Sequence, residues 1–175
     1  MKFVKPLLIP TLTLLIIGVV VAAVLSITNY FTAPRIDVRR QQALDQAMAK
    51  LIPNATFTLK SQDAQQGITV YQSTQNGKVL GYIVCSSAMG YKSKVEVMTA
   101  FNEGYNVTGV VVTDCADESP GIGQKVGTDQ AFLSQYVGYT AEQSVDAITG
   151  ATYSSQAVTD AVNQAVAYLQ GGAAQ

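Results

Sequence analysis

Histidine is absent from the 175 residues, and cysteine occurs only twice. Without histidine the chain holds no Ser-His-Asp triad, no His-ligated haem and none of the usual zinc sites. Cys85 and Cys115 lie far apart with no Cys-x-x-Cys, so this chain alone lacks the four thiolates of an iron–sulfur cluster. Two readings stay open for them: half-buried thiols at strand ends, or a disulfide pair. Charge is missing from one long region. After Lys2 and Lys5 none appears until Arg35.

That gap contains PLLIPTLTLLIIGVVVAAVLSITNYF, roughly 25 mostly apolar residues where about 20 suffice to cross a bilayer core. Pro6 and Pro10 fall near its start, where a missing N–H is tolerated, and Tyr30 and Phe31 stand at the far end as interfacial anchors do. A signal peptide has a shorter apolar region, about 7–15 residues, and no clear Ala-x-Ala site is present. We therefore expect an uncleaved single transmembrane helix over residues 1–34. Positive charge flanks both ends, Lys2 and Lys5 on one side and Arg35, Arg39 and Arg40 on the other, so charge alone chooses no orientation. Of eleven Lys and Arg two precede the span, and the remaining nine face twelve Asp and Glu. That acidic balance argues against a nucleic-acid surface. The residues after the span are numerous enough to bury a core.

Pro34 is expected to end the apolar helix. Ala43, Leu44, Ala47, Met48 and Leu51 recur at helical spacing, which predicts a connector helix within residues 35–53, stopped by Pro53 and Asn54. Residues 54–175 form the remaining domain. Asn76-Gly77 is a strong hairpin signal, and a second turn is expected near Asn102-Glu103-Gly104, giving four antiparallel strands from Ile68 to Thr113. The run Val107–Thr113 is nearly all apolar and reads as a central strand. An irregular loop, DCADESPGIGQKVG, follows. A short helix is expected from Asp129 to Val137, capped by Thr128 and ended by Gly138. A last helix runs from Ser155 to Leu169, with Val158, Ala161, Val162, Ala165, Val166 and Leu169 on one face, before a frayed GGAAQ tail. The fold class is α+β: an N-terminal transmembrane helix, then an antiparallel sheet with packed helices.

The stretch VDAITGATYSSQAV, from Val145 to Val158, carries the chemistry. Gly150 and Ala151 leave the backbone bare beside Thr152, and the hydroxyls of Thr152, Ser154 and Ser155 fall where a helix begins. The first N–H groups of a helix are unpaired and the local dipole is positive, which suits a phosphate. The plainer alternative is that Ser154 or Ser155 caps the helix.

Asp146-x-x-Thr149-Gly150-Ala151-Thr152 resembles the Asp-x-x-(Ser/Thr)-Gly-Ala-Thr signature of covalent FMN-binding domains. These occur in the G subunit of Rnf complexes and the C subunit of sodium-pumping NADH:quinone reductases. At average residue frequencies, chance produces such a match in roughly one chain of this length in a few thousand. Glu118-Ser119-Pro120-Gly121-Ile122-Gly123 is similar to the family's Glu-Thr-Pro-Gly-Leu-Gly loop, with Ser for Thr and Ile for Leu. Many relatives carry a histidine shortly before that Glu, where this chain has Ala116 and Asp117. Gly90-Tyr91 resembles the family's Gly-Tyr segment. The resemblance spans nearly the whole chain, and the chain's length favours the Rnf G subunit.

The resemblance implies FMN joined through its phosphate to Thr152. It implies cofactor contacts from Thr149, Gly150, Ala151, Ser154, Ser155, the loop residues Glu118 to Gly123, and Tyr91, whose plainer reading is a half-buried strand residue. Asp146 would organise the attachment reaction, or else its side chain would fix the turn by accepting backbone N–H groups. It further implies a flavin domain outside the cytoplasmic membrane and an electron carrier that is not catalytic alone. Its partners would be the membrane and iron–sulfur subunits of an Rnf complex, which exchanges electrons between ferredoxin and NAD coupled to Na⁺ or H⁺ movement. A separate FAD-dependent flavin transferase would make the link. The alternatives are a stand-alone extracytoplasmic flavoprotein, a C-type quinone-reductase subunit, or a structural or sensing domain with no cofactor.

Overall fold

The computed structural model describes the backbone of residues 4–141 and 143–171, with side chains from residue 10 onward apart from 31–40. Lys2 and the last four residues of the expected tail lie outside these, as do the side chains of Lys5, Phe31, Arg35, Arg39 and Arg40. The chain divides into two compact units, Met1–Gln42 and Ala43–Gln175.

The first unit is helical. Helix α1 runs from Val4 to Leu51 without the break expected at Pro34. Proline removes one N–H bond and crowds the preceding turn. Opening the helix there would free several more backbone groups, so remaining helical is the smaller loss. Within it, Pro10–Tyr30 is a 21-residue segment long and apolar enough to cross a membrane. Its large aliphatic side chains, such as Leu14, Ile17, Val21 and Leu25, are all more than half exposed. The Thr28 hydroxyl donates to the Val24 carbonyl at 2.8 Å, which satisfies a polar group inside this apolar stretch.

The second unit is built on one antiparallel sheet of five strands in sequential order. They are β1 (Thr56–Asp63), β2 (Ile68–Gln75), β3 (Lys78–Met89), β4 (Lys94–Asn102) and β5 (Val107–Asp114). Sequence reasoning missed β1, a mostly exposed edge strand (TFTLKSQD) whose apolar alternation is limited to Phe57 and Leu59. The β2–β3 turn is as expected: Asn76 and Gly77 take φ of 52° and 79°. In the β4–β5 turn the positive φ falls on Tyr105, at 58°, and not on Gly104. Asn102 Oδ1 holds that turn by accepting the N–H groups of Gly104 (2.9 Å) and Asn106 (3.0 Å), while the Tyr105 ring stacks on Tyr82.

Strand β5 is an edge strand, not a central one. Its apolar run arises because both faces are covered all the same. Val107 and Val110 join the cluster under the C-terminal helix, whereas Val111 faces the end of α1. Helix α3 (Thr152–Gln170) packs Ala157, Val158, Ala161, Val162, Ala165 and Val166 against one sheet face, with Val70, Val84, Val97 and Phe101 opposite. The Ser86 hydroxyl, buried under it, donates to the Ala161 carbonyl at 2.8 Å. On the other face lie the last turns of α1: Ala47 and Met48 are buried against Ile83, Met98 and Ala100. Helix α2 is only Gln130–Ser134. Its cap is Asp129, which accepts the Phe132 N–H at 3.1 Å, and not Thr128. Part of the expected irregular loop, Gly123–Gly127, closes into a 3-10 turn.

The α1 end is thus core of the second unit. Met48 is 3% exposed. In the full chain in detergent, Met48→Ala is expected to lower the free energy of urea unfolding by about 2–4 kcal/mol through the cavity it leaves. An unchanged transition would place that turn outside the cooperative core.

Candidate functional site

The three segments singled out by sequence meet at one carboxylate. Glu118 is 1% exposed, among the most buried side chains in the chain and the one buried acid among the described residues. Its oxygens accept the backbone N–H groups of Tyr91 (3.1 Å), Lys92 (2.9 Å) and Ser93 (3.1 Å), which wrap it from the β3–β4 loop. The Ser154 hydroxyl, from the first turn of α3, donates to the same carboxylate. Burial pushes the Glu118 carboxyl up, but the bonds from Ser154 and the three N–H groups outweigh it and leave it below its ordinary value.

Two glycines permit this approach. A Cβ on Gly90 would lie 2.8 Å from Glu118 Oε1, and one on Gly123 would lie 2.8 Å from Ser154 Oγ. The loop carrying Glu118 is tied to itself. Gln124 donates its side-chain amide to the carbonyls of Ala116 and Glu118, and Ile122 N–H bonds back to the Ser119 carbonyl. Pro120 and Gly121 occupy the two central places of that turn, with Gly121 at φ 74°, as a type II turn requires.

Above the buried carboxylate lies an open pocket of about 330 Å³, within the size range of ligand sites. Ser119, Ile122 and Gly123 form one wall, Gly150, Ala151 and Ser154 another, and Tyr91 and Tyr153 flank it. The two tyrosines are 61% and 70% exposed, with ring centroids 6.2 Å apart, and Ile122 is also exposed. Exposed aromatic and aliphatic surface around a concave site suits a flat ligand.

Helix α3 begins at Thr152, three residues before the expected start. Neither serine caps it. Ser154 serves Glu118, Ser155 Oγ accepts the Ile148 N–H at 3.1 Å, and the cap position is Ala151, whose side chain accepts nothing. The first turn therefore keeps uncapped N–H groups. Thr152 is exposed, and its hydroxyl has no hydrogen bond among the described residues.

Of the expected residues, the fold brings Tyr91, Ser119, Ile122, Gly123, Gly150, Ala151 and Ser154 to the pocket. Pro120 and Gly121 are exposed and shape the turn that presents Ile122. Tyr91 sits in a loop and not on a strand. Ser155 is buried and turned away. Thr149 and Asp146 line a separate groove of about 390 Å³ with Lys125, Asp129 and Gln135. There the backbone of Asp146, and not its carboxylate, carries the turn's bonds, through Gln135. Tyr153 was missed by sequence reasoning; the available signal was an aromatic residue next to Thr152. Cys85 and Cys115 are free thiols on opposite sides of the sheet, one packed with the α1 cluster and the other with the α3 cluster, which removes the disulfide reading. Burial pushes Cys85 up to about 12 and raises Cys115 as well.

Residues 90–167 match the FMN-binding domain family, and residues 1–51 match the RnfG N-terminal region. Among characterised relatives, the chain is 29% identical to the G subunit of the Na(+)-translocating ferredoxin:NAD(+) oxidoreductase complex of Acetobacterium woodii, over 91% of this chain and 89% of that one. It is 28% identical to the G subunit of the ion-translocating oxidoreductase complex of Methanosarcina acetivorans, over 90% and 91%. Against the G subunit of the proton-translocating ferredoxin:NAD(+) oxidoreductase complex of Clostridium ljungdahlii it is 26% identical, over 89% and 85%.

Glu118→Gln places an amide NH₂ among backbone donors and removes the charge they surround. The expected cost is about 2–4 kcal/mol in urea unfolding. The wild-type contribution of Glu118 is complete above the ordinary glutamate value of about 4.3 and disappears as pH falls through the lower folded value. Acid titration of stability should therefore show a loss below about pH 4.3 that is smaller in Glu118→Gln. Equal acid sensitivity of the two proteins would remove Glu118 from this role.

Proposed function

We propose that this chain, a member of the FMN-binding domain family with the N-terminal region of RnfG, is the flavin-carrying G subunit of an ion-translocating electron-transfer complex. The observation that carries the reading is the exposed, unpartnered Thr152 hydroxyl at the uncapped start of α3, beside a pocket flanked by two exposed tyrosines.

The residues present fit FMN. Uncapped N–H groups at the start of a 19-residue helix favour a phosphate. Gly150, at φ 81° and without a side chain, leaves room beside Thr152. Tyr91, Tyr153 and Ile122 offer flat and apolar surface for the ring system. Bound FMN supplies one- and two-electron chemistry. Ser154 and Glu118 do not face it as free ligands; they hold the pocket walls in register.

Attachment would be redox-neutral. The Thr152 oxygen bonds to the flavin-side phosphorus of FAD, the phosphoanhydride bond to AMP breaks, AMP leaves, and the hydroxyl proton passes to a base of the flavin transferase. A tether of this kind suits a domain held outside the cytoplasmic membrane by Pro10–Tyr30, where a lost cofactor is not replaced. The relatives' names place them in ferredoxin:NAD(+) oxidoreductase complexes, and we assign this chain the same setting, with membrane and iron–sulfur subunits as its partners.

Peptide mass mapping of the chain from its native membranes should find FMN less one water on the peptide containing Thr152. Thr152→Val should abolish that mass and the flavin fluorescence while the chain still folds. Unmodified Thr152, in membranes whose other flavin-tethered proteins are labelled, would overturn the covalent reading.

A further inference from the structure

The attachment motif is divided between two surfaces. Gly150, Ala151 and Ser154 line the tyrosine-flanked pocket, whereas Asp146, Ala147, Ile148 and Thr149 line the polar groove beside α2. The two share no lining residue. Thr152 follows directly from this junction, so the stretch leading to it must be held still.

Among the described residues between Gly138 and Thr152 that stretch has no helix or strand of its own. Val145 and Ile148 are half-buried against the core, and Ala151 N–H bonds to the Ile148 carbonyl at 2.9 Å. Two side chains from outside the motif's first half brace it. Ser155 holds Ile148 from α3. Gln135, the residue just after α2, brackets Asp146: its Oε1 accepts the Asp146 N–H at 2.8 Å, and its Nε2 donates to the Asp146 carbonyl at 3.2 Å. One side-chain amide thus satisfies both backbone groups of one residue, as a neighbouring strand would. The Asp146 carboxylate is left exposed in the groove, without a hydrogen bond among the described residues.

We propose that Gln135 is a positioning residue for modification of Thr152, fixing Asp146 and the approach to the threonine for the flavin transferase. The proposal rests on the covalent FMN reading above. It separates attachment from the finished site, because Gln135 touches the groove and not the pocket. Loosening Gln135 should slow attachment and leave the environment of attached flavin alone. Gln135 is itself exposed, so its replacement should leave the fold intact.

The test uses the full chain in detergent with the transferase, FAD and Mg²⁺, following the flavin-modified fraction by intact mass. Gln135→Leu should lower kcat/KM for attachment roughly ten- to thirtyfold, the loss expected when two hydrogen bonds no longer restrict the reactive geometry. Gln135→Glu, which still accepts the Asp146 N–H but cannot donate to its carbonyl, should fall between Leu and wild type. Ser134→Ala, whose hydroxyl bonds only within α2, should match wild type. After prolonged incubation, the modified Gln135→Leu protein should have wild-type flavin emission and midpoint potential. Wild-type rates in both Gln135 variants would overturn the proposal and leave the covalent reading standing. Altered emission in the finished product would also overturn it, by placing Gln135 in the pocket's structure. If wild type itself takes up no flavin, both readings fall.

Discussion

A buried anion ordinarily weakens a fold, and this one has been made into a joint. The Glu118 carboxylate receives three consecutive backbone N–H groups from the β3–β4 loop and a hydroxyl from α3. No two of those segments are neighbours in sequence, and the charge is what brings them together. Remove the carboxylate and three N–H groups and a hydroxyl lose the acceptor they share. Each pocket wall is within a residue or two of one of these bonds. Tyr91 is itself a donor, Ser119 follows Glu118, and Tyr153 precedes Ser154. The shape of the candidate site is therefore a consequence of one ion's demand for hydrogen bonds.

The sheet explains why that demand can be met so closely in space. Strand β4 is buried on both faces, with Val95, Val97 and Phe101 toward α3 and Met98 and Ala100 toward the end of α1. Helix α3 cannot slide over such a surface without losing its interdigitated valines and alanines. Its first turn, with Thr152, Tyr153 and Ser154, is thereby fixed relative to the loop at the end of β3. The glycines at 90 and 123 then allow the backbone and side chains to close to contact distance.

Much of this was legible in the sequence, and the misses have physical causes. Asn76-Gly77 announced its hairpin because few dipeptides take positive φ twice. The α3 stripe and the Ala47–Met48 stripe were readable from spacing alone. Strand β1 was not, since only Phe57 and Leu59 alternate in a strand that is otherwise polar and mostly exposed. Strand β5 looked central because burial on both faces, which loops and helix ends also provide, writes the same apolar run as a central position. Proline at 34 suggested a stop, yet local preference yields to the larger number of backbone bonds a continuous helix keeps. At the site, residue types marked the right segments but not their division of labour. That Ser154 would serve a carboxylate 36 positions away, and Ser155 a loop N–H, is information held only in the tertiary arrangement.

The absence of histidine, met first as an exclusion, has a further meaning once the site is built. Histidine is the side chain whose ordinary titration lies between pH 5 and 8. Among the described residues the groups that burial and bonding displace all move away from that interval, Glu118 downward and Cys85, Cys115, Tyr71 and Tyr136 upward. Between pH 5 and 8 these displaced groups therefore hold one protonation state, and the Glu118 joint beside the pocket keeps its hydrogen bonds. In such a protein a change of acidity within that interval is kept from acting on the bonds that shape the pocket.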